Sequence, residues 1–181
     1  GVGVISCAGL GLIYREKARS YMESCIVGLK EEIRKTKEKT TGIVGVNIMM
    51  ALTNFSDMVK TAIAEKADVI FAGAGLPLDL PKYLTPGSIT KLVPIVSSAR
   101  AAKIICEKWK ANYDYLPDLI VVEGPKAGGH LGFKQNQIVD PNYSIENLIP
   151  DVVREVALFE EKYSQEIPVV AAGGIYRSEE R

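Results

Sequence analysis

Residues 119–132, which read LIVVEGPKAGGHLG, pass from an apolar run of strand composition directly into a glycine-rich loop. The loop carries His130, the only histidine of the chain. Glycines at 128, 129 and 132 let the backbone approach a ligand closely and adopt dihedral angles that are closed to other residues. Histidine is the side chain whose unperturbed pKa suits proton transfer near neutral pH. The stretch therefore predicts a buried strand that leads into a ligand-binding loop with a candidate general base.

Apolar runs of the same kind recur along the chain, and amphipathic helical patterns separate most of them. The six predicted strands are Val2–Ser6, Ile43–Ile48, Asp68–Ala72, Leu92–Val96, Leu119–Val122 and Pro168–Ala172. Apolar stripes at helical spacing predict helices over residues 18–33, 55–63, 101–106 and 152–159, with Asn54 as an N-cap and Pro150 in a first turn. Three prolines leave room for a short helix at most near Asp79–Leu84. Nearly all-apolar strands that alternate with helices predict a parallel sheet covered by helices.

Glycines and polar residues follow the carboxyl ends of these strands repeatedly. They lie at Ser6–Gly11, Asn47, Gly73–Gly75, Ser97–Ser98, Gly124–Gly132 and Gly173–Gly174. A barrel builds its active site from the strand-to-helix loops around the whole ring, whereas a dinucleotide-binding sheet concentrates its glycines in the first turn. We therefore predict an α/β fold, a (β/α)8 TIM barrel forming one domain over residues 1–181. Only six of eight strands are visible, so we expect a portion of a longer chain that lacks the first and last strands.

Composition excludes several classes of function. The chain has 22 basic and 22 acidic residues, and no cluster of one sign large enough to indicate a nucleic-acid partner. The three cysteines, Cys7, Cys25 and Cys106, are odd in number and widely spaced, which argues against a disulfide framework or a zinc site and favours a reducing compartment. No apolar stretch approaches the length of a membrane span. We expect a cytoplasmic protein without metal, membrane or nucleic-acid partners, and a homodimer is left open.

A second glycine turn follows the last predicted strand, in Ala171–Ile175 (AAGGI). Residues Ser178, Glu179 and Glu180 have the composition of a helix cap and first turn. Backbone N–H groups at a glycine turn that leads into a helix bind phosphate, and barrels commonly place a phosphate after strands seven and eight. A simple tight turn is the alternative. We predict a phosphate site at Gly173 and Gly174.

Taken together, these segments resemble the nitronate monooxygenase family (formerly the 2-nitropropane dioxygenases), which are FMN-dependent barrels. Gly1–Ser6 is similar to the family's second strand, and Gly45–Ile48 to its third, whose asparagine contacts the flavin. Residues 123–132 match the most specific family signature, in which the histidine is the catalytic base, although Lys126 stands where many members carry a glutamate. Ala171–Ile175 is similar to the phosphate loop. The resemblance implies His130 as the catalytic residue and FMN as the cofactor, bound by Asn47, Ala127, Gly128, Gly129, Gly173 and Gly174.

The activity that the resemblance implies is the oxidation of alkyl nitronates or nitroalkanes by O2. His130 would take the α-proton of a nitroalkane or, when protonated, position an anionic nitronate. One alternative is the FMN-dependent enoyl-acyl-carrier-protein reductase, a sister group with a similar loop that uses NAD(P)H. A non-redox barrel enzyme that binds a sugar phosphate, such as an isomerase or lyase, and a non-catalytic flavin-binding module are also open.

Four further features receive structural interpretations. Lys126 is interpreted as a solvated loop residue that could attract an anionic substrate. Ser97 and Ser98 are interpreted as helix N-caps. Cys7 is expected to be a buried, inert thiol, and Trp109 is expected to pack at the periphery.

Overall fold

A computed structural model describes residues 1–175, which divide into two compact units. The first comprises residues 1–73 and 80–92, and the second comprises residues 74–79 and 93 onward. In both units parallel strands alternate with helices along the chain.

The first unit contains three parallel strands, with the second strand in chain order in the middle. These are β1 (Val2–Ser6), β2 (Ile43–Met49) and β3 (Val69–Gly73). Its helices are α1 (Leu10–Ile13), α2 (Tyr21–Lys39) and α3 (Phe55–Ala64), with short 3₁₀ turns at Arg15–Lys17 and Leu80–Tyr83. Val44, Val46 and Ile48 of β2 are almost completely buried. These three residues share one face of the strand, and Gly45 on the opposite face is buried as well. A strand with both faces covered reads as a nearly continuous apolar run, which explains the sequence of β2.

The second unit contains the loops that the sequence singles out. It holds β4 (Lys91–Val96, from Val93 onward), α4 (Ala99–Tyr113), β5 (Ile120–Glu123), α5 (Gln135–Ile138), a 3₁₀ turn at Pro141–Tyr143, α6 (Ile145–Tyr163) and β6 (Val169–Ala172). Strand β5 pairs in parallel with both β4 and β6. Ile120 and Val122 on one face of β5 are fully buried, and Val121 on the other face is 8% exposed.

The α/β class is confirmed. Six parallel strands alternate with helices, which corresponds to six of the eight repeats of a (β/α)8 barrel. Each strand end differs from its predicted position by one residue at most. The short helix predicted near Asp79–Leu84 is the 3₁₀ turn at Leu80–Tyr83.

Two details of the helices differ from the sequence-based predictions. Helix α6 begins at Ile145, so Pro150 lies inside the helix rather than in its first turn. Proline there removes one backbone hydrogen bond, and the exposed position leaves the freed carbonyl accessible to water. Asn54 does occupy the N-cap position of α3, but its side chain makes no capping hydrogen bond.

The described residues contain neither a membrane-spanning helix nor a group of side chains suited to a metal ion. No helix within residues 1–175 is long and apolar enough to span a membrane. In the same part of the chain, no group of three or more His, Cys, Asp or Glu side chains could hold a metal ion.

Candidate active site

The loop after β5 is fixed at its base by neighbouring elements. The Gly124 N–H donates to the carbonyl of Ala172 in β6 (2.9 Å), and the Ala127 N–H donates to the carbonyl of Gly124 (3.1 Å). A Cβ added to Gly124 would lie 3.0 Å from Cβ of Ile145, the first residue of α6. Glycine at 124 therefore lets the loop pass close to α6, and the turn at residues 124–127 is anchored between β6 and that helix.

The tip of the loop, Gly128–His130, has a different environment. All three residues are exposed, and a Cβ added to Gly128 or Gly129 would meet no atom within 4 Å. Packing within the protein therefore does not require glycine at these positions, although the φ of +84° at Gly129 favours it there. The loop returns at Gly132, whose carbonyl accepts a hydrogen bond from Ser97 Oγ (3.4 Å). The tip presents open backbone and an exposed imidazole on which a ligand could lie.

The glycine turn after β6 contacts the base of this loop. Gly173 and Gly174 both have positive φ, at +95° and +79°. A Cβ on Gly173 would lie 2.7 Å from the backbone nitrogen of Ala127, and one on Gly174 would lie 3.0 Å from Cβ and Cδ of Lys126. The two loops predicted to bind cofactor thus meet, and their close approach itself requires these two glycines. The predicted helix start at residues 178–180 lies outside the described residues.

A cavity of about 220 Å³ opens where the two loops meet, and we call it the loop cavity. Its lining residues come from the β5 loop, the segment around α5, the first residues of α6 and the β6 turn: Pro125, Lys126, Ile138, Val139, Asp140, Pro141, Ser144, Ile145, Glu146, Gly173 and Gly174. Pockets that hold a whole drug-sized ligand usually measure about 300–1,000 Å³. The loop cavity is therefore suited to one part of a larger ligand.

Two carboxyl groups near these loops have shifted pKa values. Hydrogen bonds from its own backbone N–H and from the Ser144 hydroxyl lower the pKa of Glu146, and the positive charge of Lys126 adds to this effect. Burial raises the pKa of Glu123, the last residue of β5. No role was predicted for either residue from the sequence. Glu146 could have been found from the sequence, because it is an acidic residue in a first helical turn that follows a serine.

Asn47 lies in the first unit. It stands two residues before the end of β2, opposite Ser6 and Phe71 in the parallel register. Its carbonyl accepts a hydrogen bond from the Cys7 N–H (3.0 Å), and the residue is half-buried. The structure therefore brings Ala127, Gly173 and Gly174 together in the second unit, whereas Asn47 belongs to the first.

The structure also tests the residues that received structural interpretations. Ser98 caps α4, since its Oγ accepts a hydrogen bond from the Ala101 N–H (3.2 Å). Cys7 is buried, and burial is the main reason that its pKa is raised to about 12, as expected of an inert thiol. The prediction for Trp109 was wrong. Its ring is fully buried, and its indole N–H donates to the carbonyl of Pro77 (2.8 Å).

Comparisons with solved structures identify similar folds. Two structures of FabK from Thermotoga maritima, one of a mutant, are each 30% identical to this chain, with TM-scores of 0.62 and 0.63. Each match covers 83% of this chain and 40% or 42% of FabK. A nitroalkane oxidase from Streptomyces ansochromogenes matches 98% of this chain and 52% of its own, with a TM-score of 0.67; its 18% identity supports the fold alone.

The relative length of the chain and its family follow from the same comparisons. The chain spans about half the length of these solved proteins, or somewhat less. No match was found among curated proteins. The model of the nitronate monooxygenase family matches residues 10–180, a span that includes both the β5 loop and the β6 turn. From this match, the chain belongs to the nitronate monooxygenase family.

Proposed function

We propose that the protein is an FMN-dependent oxidoreductase that oxidises alkyl nitronates, or the nitroalkanes from which they form, with O2. The observation that carries the proposal is the Gly128–His130 tip, where open glycine backbone and an exposed imidazole lie side by side. Membership of the nitronate monooxygenase family supports the same reaction class. Because the imidazole is exposed, a small substrate can reach it from solvent.

The residues at the two loops fit a flavin nucleotide. Gly128 and Gly129 leave free the space that a Cβ would occupy, so a flat ligand could lie directly on the backbone. Gly173 and Gly174 border the loop cavity, where a phosphate group would fit. The N–H of Ala127 is already bonded to Gly124, so this residue would contact the cofactor through its methyl group or carbonyl. Asn47 offers both a donor and acceptors for the polar edge of the flavin ring.

The protein's part in the reaction is binding, orientation and proton transfer. When bound, FMN would supply the redox chemistry between the substrate and O2. His130 acts at the carbon next to the nitro group, where it takes the α-proton of a nitroalkane. When protonated, the same imidazole donates a hydrogen bond to an oxygen of an anionic nitronate.

The test is anaerobic absorbance of the full-length, flavin-loaded protein, mixed separately with an alkyl nitronate and with NADH. Bleaching of the flavin absorbance by the nitronate alone, followed by O2 uptake when air is readmitted, is the expected result. His130→Gln should slow the oxidation of a neutral nitroalkane by about 10²–10⁴-fold, the usual contribution of a general base. The preformed nitronate needs no deprotonation and should be affected less. Equal loss on both substrates would contradict the role as a base.

The second candidate is a reductase, supported by the 30% identity to FabK, an enoyl-acyl-carrier-protein reductase. In that case NADH alone would bleach the flavin rapidly and the nitronate would not. A protein that takes up no flavin would overturn both candidates and favour a non-redox barrel enzyme.

A further inference from the structure

We propose that Lys126 binds the phosphate group of the flavin nucleotide in the loop cavity, an inference that rests on the proposed function. The sequence favoured a solvated loop residue at this position.

The contact between Lys126 and Gly174 places the lysine beside the predicted phosphate turn. A Cβ on Gly174 would lie 3.0 Å from both Cβ and Cδ of Lys126, so the apolar stem of the lysine lies directly against the glycine backbone. Lys126, Gly173 and Gly174 line the same cavity. Within residues 1–175 the lysine forms no ion pair, so its charge is available to an anion.

The acidic residues of the cavity are already engaged in local hydrogen bonds. Asp140 Oδ1 accepts from the Asn142 N–H (3.0 Å), which stabilises the 3₁₀ turn. Glu146 is bonded to its own N–H and to Ser144, and the resulting low pKa keeps it ionised. Among the described lining residues, Lys126 alone carries a positive charge. Asp140 and Glu146 both repel an anion in this cavity, and Lys126 is the described lining residue whose charge offsets that repulsion.

The size of the loop cavity identifies the part of the cofactor that it takes. A volume of about 220 Å³ is below the usual range for a whole ligand of this class. A terminal phosphate fits, whereas the ring system requires the open surface of the Gly128–His130 tip. FMN and riboflavin differ in this phosphate, so comparing their affinities isolates the contribution of the cavity.

The experiment titrates the full-length apoprotein with FMN and with riboflavin and follows the quenching of flavin fluorescence. Lys126→Met keeps the apolar stem over Gly174 and removes the charge. It should weaken FMN binding by about tenfold, the lower end expected for a charge-assisted hydrogen bond, and leave riboflavin affinity unchanged. Glu146→Gln should tighten FMN binding and have no effect on riboflavin. The control Lys108→Met removes an equal charge from an exposed position on α4 and should change neither affinity.

Unchanged FMN affinity in Lys126→Met would overturn the proposal, and so would an equal loss of FMN and riboflavin affinity, which indicates a structural defect. Circular dichroism of each variant establishes that the fold is intact. If the wild-type protein binds neither flavin, the proposed function itself fails. If the wild-type protein binds FMN and riboflavin but Lys126→Met binds FMN as tightly as the wild type, the proposed role of Lys126 is wrong and the proposed function still stands.

Discussion

Glu123 shows how a single half-buried carboxyl group connects the site to stability. It ends β5, and no hydrogen-bond or ion-pair partner for its carboxylate exists among the described residues. Burial raises its pKa above the ordinary value of 4.5. The folded state therefore binds a proton more tightly than the unfolded state does. Between the ordinary and the raised pKa, the free energy of unfolding must fall as the pH rises.

Replacing Glu123 with glutamine should remove this pH dependence. We expect Glu123→Gln to raise the free energy of unfolding at pH 7, above the ordinary pKa of 4.5, and to have a smaller effect at pH 4, below it. Urea unfolding of both full-length proteins at the two pH values measures the difference. The exposed Glu161→Gln is the matched control for the loss of one charge. A gain that is equal at both pH values would contradict the assignment.

At the scale of elements, α4 packs against the rest of its unit through one fully buried face. Ala102, Ile105, Cys106 and Trp109 have no exposed surface, and their spacing is that of a helical stripe. The indole N–H of Trp109 donates to the buried carbonyl of Pro77. Trp109→Phe retains an aromatic ring and leaves this carbonyl unpaired, so it should cost about 1–3 kcal/mol in the free energy of unfolding. Denaturant unfolding followed by circular dichroism measures the free energy of unfolding of the variant and the wild type. A difference near zero would show that the hydrogen bond to Pro77 does not stabilise the fold.

The same elements show what could be predicted from the sequence. The strands were located to within one residue because residues on both faces of β2 and β5 are buried and the runs are mostly apolar. The start of α6 was missed because Pro150 suggested a first turn, whereas the N-cap is Ser144, six residues before the proline. The burial of Trp109 depends on Pro77, which is distant in sequence. The contact between Lys126 and Gly174 likewise forms only when two separate loops meet, so local pattern could not predict it.

For the molecule as a whole, the outermost described strands, β1 and β6, both expose apolar side chains. Within the described residues, β1 pairs with β2 alone and β6 pairs with β5 alone. Val2 and Val4 of β1 are 45% and 52% exposed, and Val170 of β6 is 44% exposed. Closure of a barrel removes such edges, whereas an open apolar edge is a template for pairing with another chain.

We therefore expect the 181-residue chain, expressed on its own, to associate through these edges. Val4→Lys introduces a charge on β1, which natural proteins use to block pairing between edges, and should lower the amount of aggregate. Light scattering at increasing protein concentration measures the effect, with Lys60→Arg on α3 as a control that leaves charge and edge unchanged. Because the edges exist only while the strands are formed, the effect should disappear in denaturant. A soluble wild-type monomer with a sharp, reversible unfolding transition would show that the six strands are stable without further strands.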